Sequence, residues 1–148
     1  LKLFLLLAHA ISSMLLLGAI THQAIAVWMP GPTSGGFWRS LRAVHPQRYV
    51  TAIIVLFVFT MALGAVIYVP FRSEVRATYL DAHVPWATGL FEVKEHAAAL
   101  ALALMPAYWA LWRNPEHRGS RRAVTTILLL VTWWNFVVGH VVNNLRGL

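Results

Sequence analysis

Apolar residues in this chain do not alternate, and they are not confined to one helical stripe. They come in four long runs, at about 3–28, 49–69, 86–112 and 123–145. Each run has at least about 20 residues, which at about 1.5 Å per residue crosses a hydrocarbon core of about 30 Å. Backbone groups in lipid must be satisfied within their own segment, so such runs fold as helices. The pattern predicts an all-α protein: one integral membrane four-helix bundle filling 1–148, with no internal repeat. Pro106 falls inside the third run and predicts a kink there.

The connections carry turn chemistry. Met29 to Gly36 is rich in Pro and Gly, and breaks the chain after the first helix. Phe37 to Val44 sets Arg39 and Arg42 beside Trp38 and Leu41, the composition of a short helix lying in the membrane interface. Pro70 is expected to end the second helix, leaving 72–83 as one or two polar turns. Pro85 suits the first turn of the third helix, and Asn114-Pro115 closes it.

Composition agrees with the pattern. The chain is 59% hydrophobic and only 11% charged, and its mean hydropathy is +0.64. A soluble domain carries roughly 25% charged residues. The absence of cysteine excludes thiolate metal sites, iron–sulfur ligation and covalent haem attachment. The net charge of +7 is spread between apolar runs rather than clustered on a soluble face, so lipid and topology account for it and no nucleic-acid partner is expected. The first and third loops hold Arg39, Arg42, Arg48, Arg113, Arg118, Arg121 and Arg122. The opposite side has fewer cations: Lys2, Arg72, Arg76 and Arg146. The positive-inside rule then puts those two loops in the cytoplasm of a bacterial inner membrane and both termini in the periplasm. The run from Leu3 is long and contains His9, Ser12 and Ser13, so it is expected to be a retained helix rather than a cleaved leader.

Ionisable groups inside a membrane are costly and mark function. His9, His22, His96 and His140 all fall in helices. Measured from the cytoplasmic ends, His9, His96 and His140 reach heights of about 28, 24 and 26 Å, one layer near the outer face, with His22 apart. His96 shares a stripe with Gly89, Glu92, Ala99, Ala103 and Ala107 that admits a flat macrocycle or a neighbouring helix. Two imidazoles from facing helices are the axial ligand set of haem b, so two of His9, His96 and His140 are the candidate ligands. Arg72, Arg76 and Lys94 are candidate propionate partners. The remaining histidine, with Glu92 or Glu95, is a candidate proton or quinone site. His9 and His22 do not share a face, so at most one haem is expected. The same histidines could instead hold another metal. Against these stand the bland alternatives: polar side chains holding helices together, and Lys94 snorkelling outward from a protruding helix. No phosphate loop, zincin pattern or nucleophile elbow is present, so a non-catalytic redox or accessory subunit of an oxidoreductase complex is expected.

Three stretches carry a resemblance: His9-Ala-Ile-Ser-Ser-Met-Leu-Leu-Leu-Gly18; Arg48-Tyr49 with Met61-Ala-Leu-Gly64; and Thr88-Gly-Leu-Phe-Glu-Val-Lys94. With them the layout resembles the CopD-type copper-resistance membrane family and its small relatives. That resemblance implies copper handling, with His9 the residue carried over. By architecture the chain also resembles the four-helix b-type cytochrome anchors of respiratory dehydrogenases. Three functions are therefore expected in order: a haem b subunit passing electrons between a partner protein and membrane quinone, a copper-handling membrane protein, and a cofactor-free accessory subunit of a larger complex.

Overall fold

The computed structural model describes residues 2–29 and 45–146. It contains four long helices: α1 (Lys2–Trp28), α2 (Tyr49–Phe71, entered through a 3-10 turn at Pro46–Arg48), α3 (Pro85–Arg113) and α4 (Arg118–Leu145). No strand occurs among the described residues. The loop after Met29 and the interfacial helix expected over 37–44 lie outside them. Pro85 sits at the start of α3, and α3 stops at Asn114, whose extended backbone precedes Pro115. α3 is continuous through Pro106. α4 begins at Arg118 rather than Ala123, because its first turn is polar and helical. The apolar run marks the span, not the helix.

One expectation is corrected. Pro70 does not end the second helix: the rod continues through π-helical turns at Arg72–Leu80 and a last α turn at Asp81–His83. The wider winding hydrogen-bonds residues five apart, so side chains four and five apart share a face. Phe71, Val75 and Leu80 have that spacing and all are buried. Regular α winding would turn Leu80 about 140° away from Val75. α3 differs from its neighbours. Among the described residues, three helices are by themselves long and apolar enough to cross a membrane: α1, the whole rod from Pro46 to His83, and α4. The outer third of α3 carries Glu92, Lys94, Glu95 and His96, and its apolar run from Ala97 to Trp112 falls short of a full span.

The helices form a ring in which α1 packs on α2 and α4, and α3 packs on α4 and more lightly on α2. One core cluster draws on all four helices, with Leu16, Ile20, Ile53, Phe57, Met105, Tyr108 and Leu128. A second, toward the other end, joins Phe71, Val75 and Leu80 to Ala87, Val138 and Val142. Lipid tails are as apolar as leucine, so close packing and hydrogen bonds between helices hold such a bundle, rather than the hydrophobic effect. The hydrogen bonds are present at several levels. Tyr108 Oη donates to Gln23 Oε1 at 2.7 Å, across the diagonal from α3 to α1. Gln23 Nε2 donates to the Pro46 carbonyl at 3.0 Å, and Gln47 Nε2 to that of Trp112 at 3.1 Å. Trp28 and Trp133 donate to Thr126 and Thr21 at 2.8 and 3.1 Å, closing the seam between α1 and α4.

Candidate functional site

His9 lies on the inner face of α1, in line with the buried Ser12, Leu16, Ile20 and Gln23. Its Nδ1–H donates to the Thr60 carbonyl on α2 at 3.1 Å, which fixes the ring and leaves the Nε2 lone pair unused by that bond. The close approach depends on Gly64: a Cβ there would come within 3.3 Å of the His9 ring. The hydroxyls of Ser12 and Ser13 return to the His9 carbonyl at 3.0 and 2.7 Å. Thr60 Oγ1 is buried with no hydrogen-bond partner.

Lys94 also turns inward, contrary to the snorkelling alternative. Its Nζ stands 4.6 Å from the centre of the Phe91 ring, and its Cε would lie 3.8 Å from a Cβ at Gly139 of α4. The ammonium lies within electrostatic reach of His9. One layer of the bundle therefore takes a basic side chain from α1 and another from α3, set against glycines of α2 and α4. At Gly64 a Cβ would crowd the His9 ring, whereas at Gly139 a Cβ would only touch Lys94 at ordinary contact distance.

His96 faces the other way. The buried positions of α3 are Ala87, Ala98, Ala101, Met105, Tyr108 and Trp112. At 100° per residue His96 stands almost opposite their mean direction, and it is exposed. The rest of its stripe, Gly89, Glu92, Ala99, Ala103 and Ala107, is exposed with it. The His96 Nδ1–H donates to the Glu92 carbonyl at 2.7 Å, so Nε2 points away from the helix with its lone pair available. His140 is exposed on α4, and Asn144 Nδ2 donates to its backbone carbonyl. The structure thus turns His9 and Lys94 inward and leaves His96 and His140 on outer surfaces. Among the described residues, no three His, Asp or Glu side chains gather as metal ligands would.

The candidate propionate partners divide as well. Arg76 is engaged: its guanidinium pairs with the Glu92 carboxylate, lies 3.6 Å from Asp81 and donates to Tyr68 Oη at 3.4 Å. Asp81 in turn accepts from Thr88 at 2.7 Å. Arg76 is therefore a tie between the extended α2 rod and α3, its charge already balanced. Arg72 is exposed on the π-helical segment, and Glu95 is half-buried beside Lys94.

Several residues of this region carry no chemistry-bearing motif and emerge only in three dimensions. Gly64, Gly139 and Thr60 matter through what they face. Tyr108 matters because it meets Gln23. Spacing along one helix carries no information about these partners, although two glycines in facing helices at one depth are a usable clue. Comparison with known proteins yields no match: no family model, no curated protein and no solved structure is similar to this chain.

Proposed function

We propose that this chain is a membrane-embedded subunit of a larger redox complex that docks through the outer face of α3 and holds haem b at that face. The observation that carries the reading is the exposed stripe around His96, on the one long helix that lacks a full apolar span. Small residues let another helix or a planar ring approach the backbone closely. His96 stands among them with one nitrogen held by Glu92 and the other free, the arrangement that suits a histidine ligand. The second axial ligand would come from the partner, because His9 and His140 lie on other faces. Bound there, haem b would supply one-electron transfer, with membrane quinone as the acceptor. The expected setting is a bacterial inner membrane with both termini in the periplasm, the side that then carries His96.

The inner pair supports a proton role beside that site. His9 and Lys94 are basic groups turned into this end of the bundle, and Glu95, half-buried, follows Lys94 in the chain. Together they form a short relay for the proton that accompanies quinone reduction.

The test is a reduced-minus-oxidised visible spectrum of the complex purified from its native membrane in mild detergent. The expected result is a b-type spectrum with at most one haem per chain, lost or shifted in His96→Ala and retained in His140→Ala. A spectrum unchanged in His96→Ala overturns the haem site. A complex that co-purifies without haem but loses its partner when Ala103 is enlarged leaves the cofactor-free accessory role. Copper in place of haem, measured by metal analysis and lost with His9, would move the assignment to copper handling.

A further inference from the structure

The two ends of the bundle treat their cations differently. At the end carrying the extended α2 rod, Lys2 pairs with Glu74 at 2.6 Å, and Arg76 pairs with Glu92 and Asp81. Arg146 at that end lies over the Tyr79 ring at 4.9 Å, and at the other end three arginines stack on tryptophans. Arg113 lies 4.3 Å from the centre of the Trp109 ring, Arg121 5.5 Å from Trp112, and Arg122 5.4 Å from Trp28. No ion pair forms at this end among the described residues, and Glu116 is the one acidic residue near it. The loop 30–44 contains no Asp or Glu, so it brings no counter-charge.

The first turn of α4 adds to the imbalance. It holds no acidic residue and its N-cap side chain makes no bond, yet Arg118, Arg121 and Arg122 sit there. Cations at the positive end of a helix dipole are unfavourable, whereas an anion there is stabilised by both the dipole and the unpaired N–H groups. Arg121 is partly used, donating to the Pro115 carbonyl at 3.0 Å. Arg118 and Arg122 are four apart and share a face of α4. A guanidinium lying on a ring keeps its N–H edges free for paired phosphate oxygens.

An apolar groove opens on the same seam. It is a shallow, open groove of about 400 Å³ between α1 and α4 that begins one turn below Trp28. Met14, Leu17, Gly18, Ile25, Trp133 and Phe136 line it, together with Thr21, whose hydroxyl is taken by Trp133, and the His22 ring. From Ile25 to Met14 the groove runs about 16 Å along the helix, toward the middle of the bilayer.

We propose that this seam is a binding site for one anionic phospholipid, its phosphate held by Arg118 and Arg122 beside Trp28 and one acyl chain lying in the groove. The charge left unbalanced at this end selects the headgroup, and the groove continuous with it selects a lipid over a soluble anion. The site is on the α1–α4 seam and stands apart from the outer face of α3, so it holds whether or not haem is bound there.

The test is native mass spectrometry of the detergent-purified full chain incubated with palmitoyl-oleoyl phosphatidylglycerol or with phosphatidylcholine bearing the same chains. One phosphatidylglycerol should survive gentle activation where phosphatidylcholine is lost. Arg118→Gln/Arg122→Gln should lower phosphatidylglycerol occupancy roughly tenfold. Gly18→Leu should lower it too; a Cβ at Gly18 meets nothing within 4 Å, so the side chain starts in open space. Arg72→Gln, at the other end, should leave occupancy unchanged. Thermal melting in phosphatidylcholine micelles checks that each variant is folded, and the exposed Arg118→Gln alone is the milder substitute for the double variant. Equal retention of the two lipids, or an unaltered preference in the arginine variants, overturns the site. Displacement of the lipid by equimolar inorganic phosphate, or no effect of Gly18→Leu, overturns the acyl groove.

Discussion

The outward faces of α1 and α2 are built from Leu3, Phe4, Leu7, Ile11, Val55, Val58, Phe59 and Val66, all exposed. The outward face of α3 is built from Gly89, Glu92, His96, Ala99, Ala103 and Ala107, flanked by Val93 and Leu100. The first surface offers long flexible chains to lipid tails, which fill its gaps. The second is a stripe of small side chains with polar groups at one end, which offers lipid tails little to pack against. The difference teaches that exposure has two meanings in this bundle. On α1 and α2 it describes a finished surface, and on α3 it describes a surface shaped for a solid neighbour.

The largest change is expected inside the bundle, and it sets the scale for the rest. Tyr108→Phe leaves Gln23 Oε1 buried without its donor, and unfolding in detergent should show a loss of about 1–3 kcal/mol. Next comes the α3 stripe itself. Ala103→Leu should reduce co-purification of the partner by roughly tenfold, about 1.4 kcal/mol, while the melting temperature of the isolated chain stays unchanged. A melting temperature that falls instead would mean that the stripe packs within the chain. Smaller still is Glu92→Gln, which removes an exposed partner of Arg76. Its expected cost is about 0–1 kcal/mol, shrinking further in high salt. The smallest effect should come from Leu7→Ala on the lipid face of α1, within about 0.5 kcal/mol and with no loss of partner. If Leu7→Ala strips the partner as Ala103→Leu does, the contrast between the two faces is broken.

The helices were legible in the chain, because length and apolarity suffice when lipid removes every other backbone solution. Their orientation about their own axes was not. In water the apolar stripe of a helix points inward. In a bilayer both sides of α3 are compatible with an apolar residue, so the stripe holding His96 and Ala103 reads equally well as lining a haem pocket or as facing out. The size of the residues, rather than their polarity, was the informative feature. Pro70 misled for a related reason. A proline breaks a helix by removing a donor and crowding the preceding turn, yet the rod here continues and widens, burying Val75 and Leu80 on one face. The pairing of Arg76 with Glu92 depends on that winding and could not be read from spacing within either helix.

The Tyr108–Gln23 bond also has a history in time. Its two ends are 85 residues apart in the chain. At a synthesis rate of about 5–20 residues per second, α1 waits roughly 4–17 s before Tyr108 exists. For that interval Gln23 Oε1 lacks its final donor, although Gln23 Nε2 already has the Pro46 carbonyl. A nascent α1 released alone should therefore sit shallowly, with Gln23 near the headgroups, and should reach full depth only when α3 is made. Chains arrested before Tyr108 would remain exposed to membrane proteases, and the arrival of one tyrosine would mark the point at which the bundle closes.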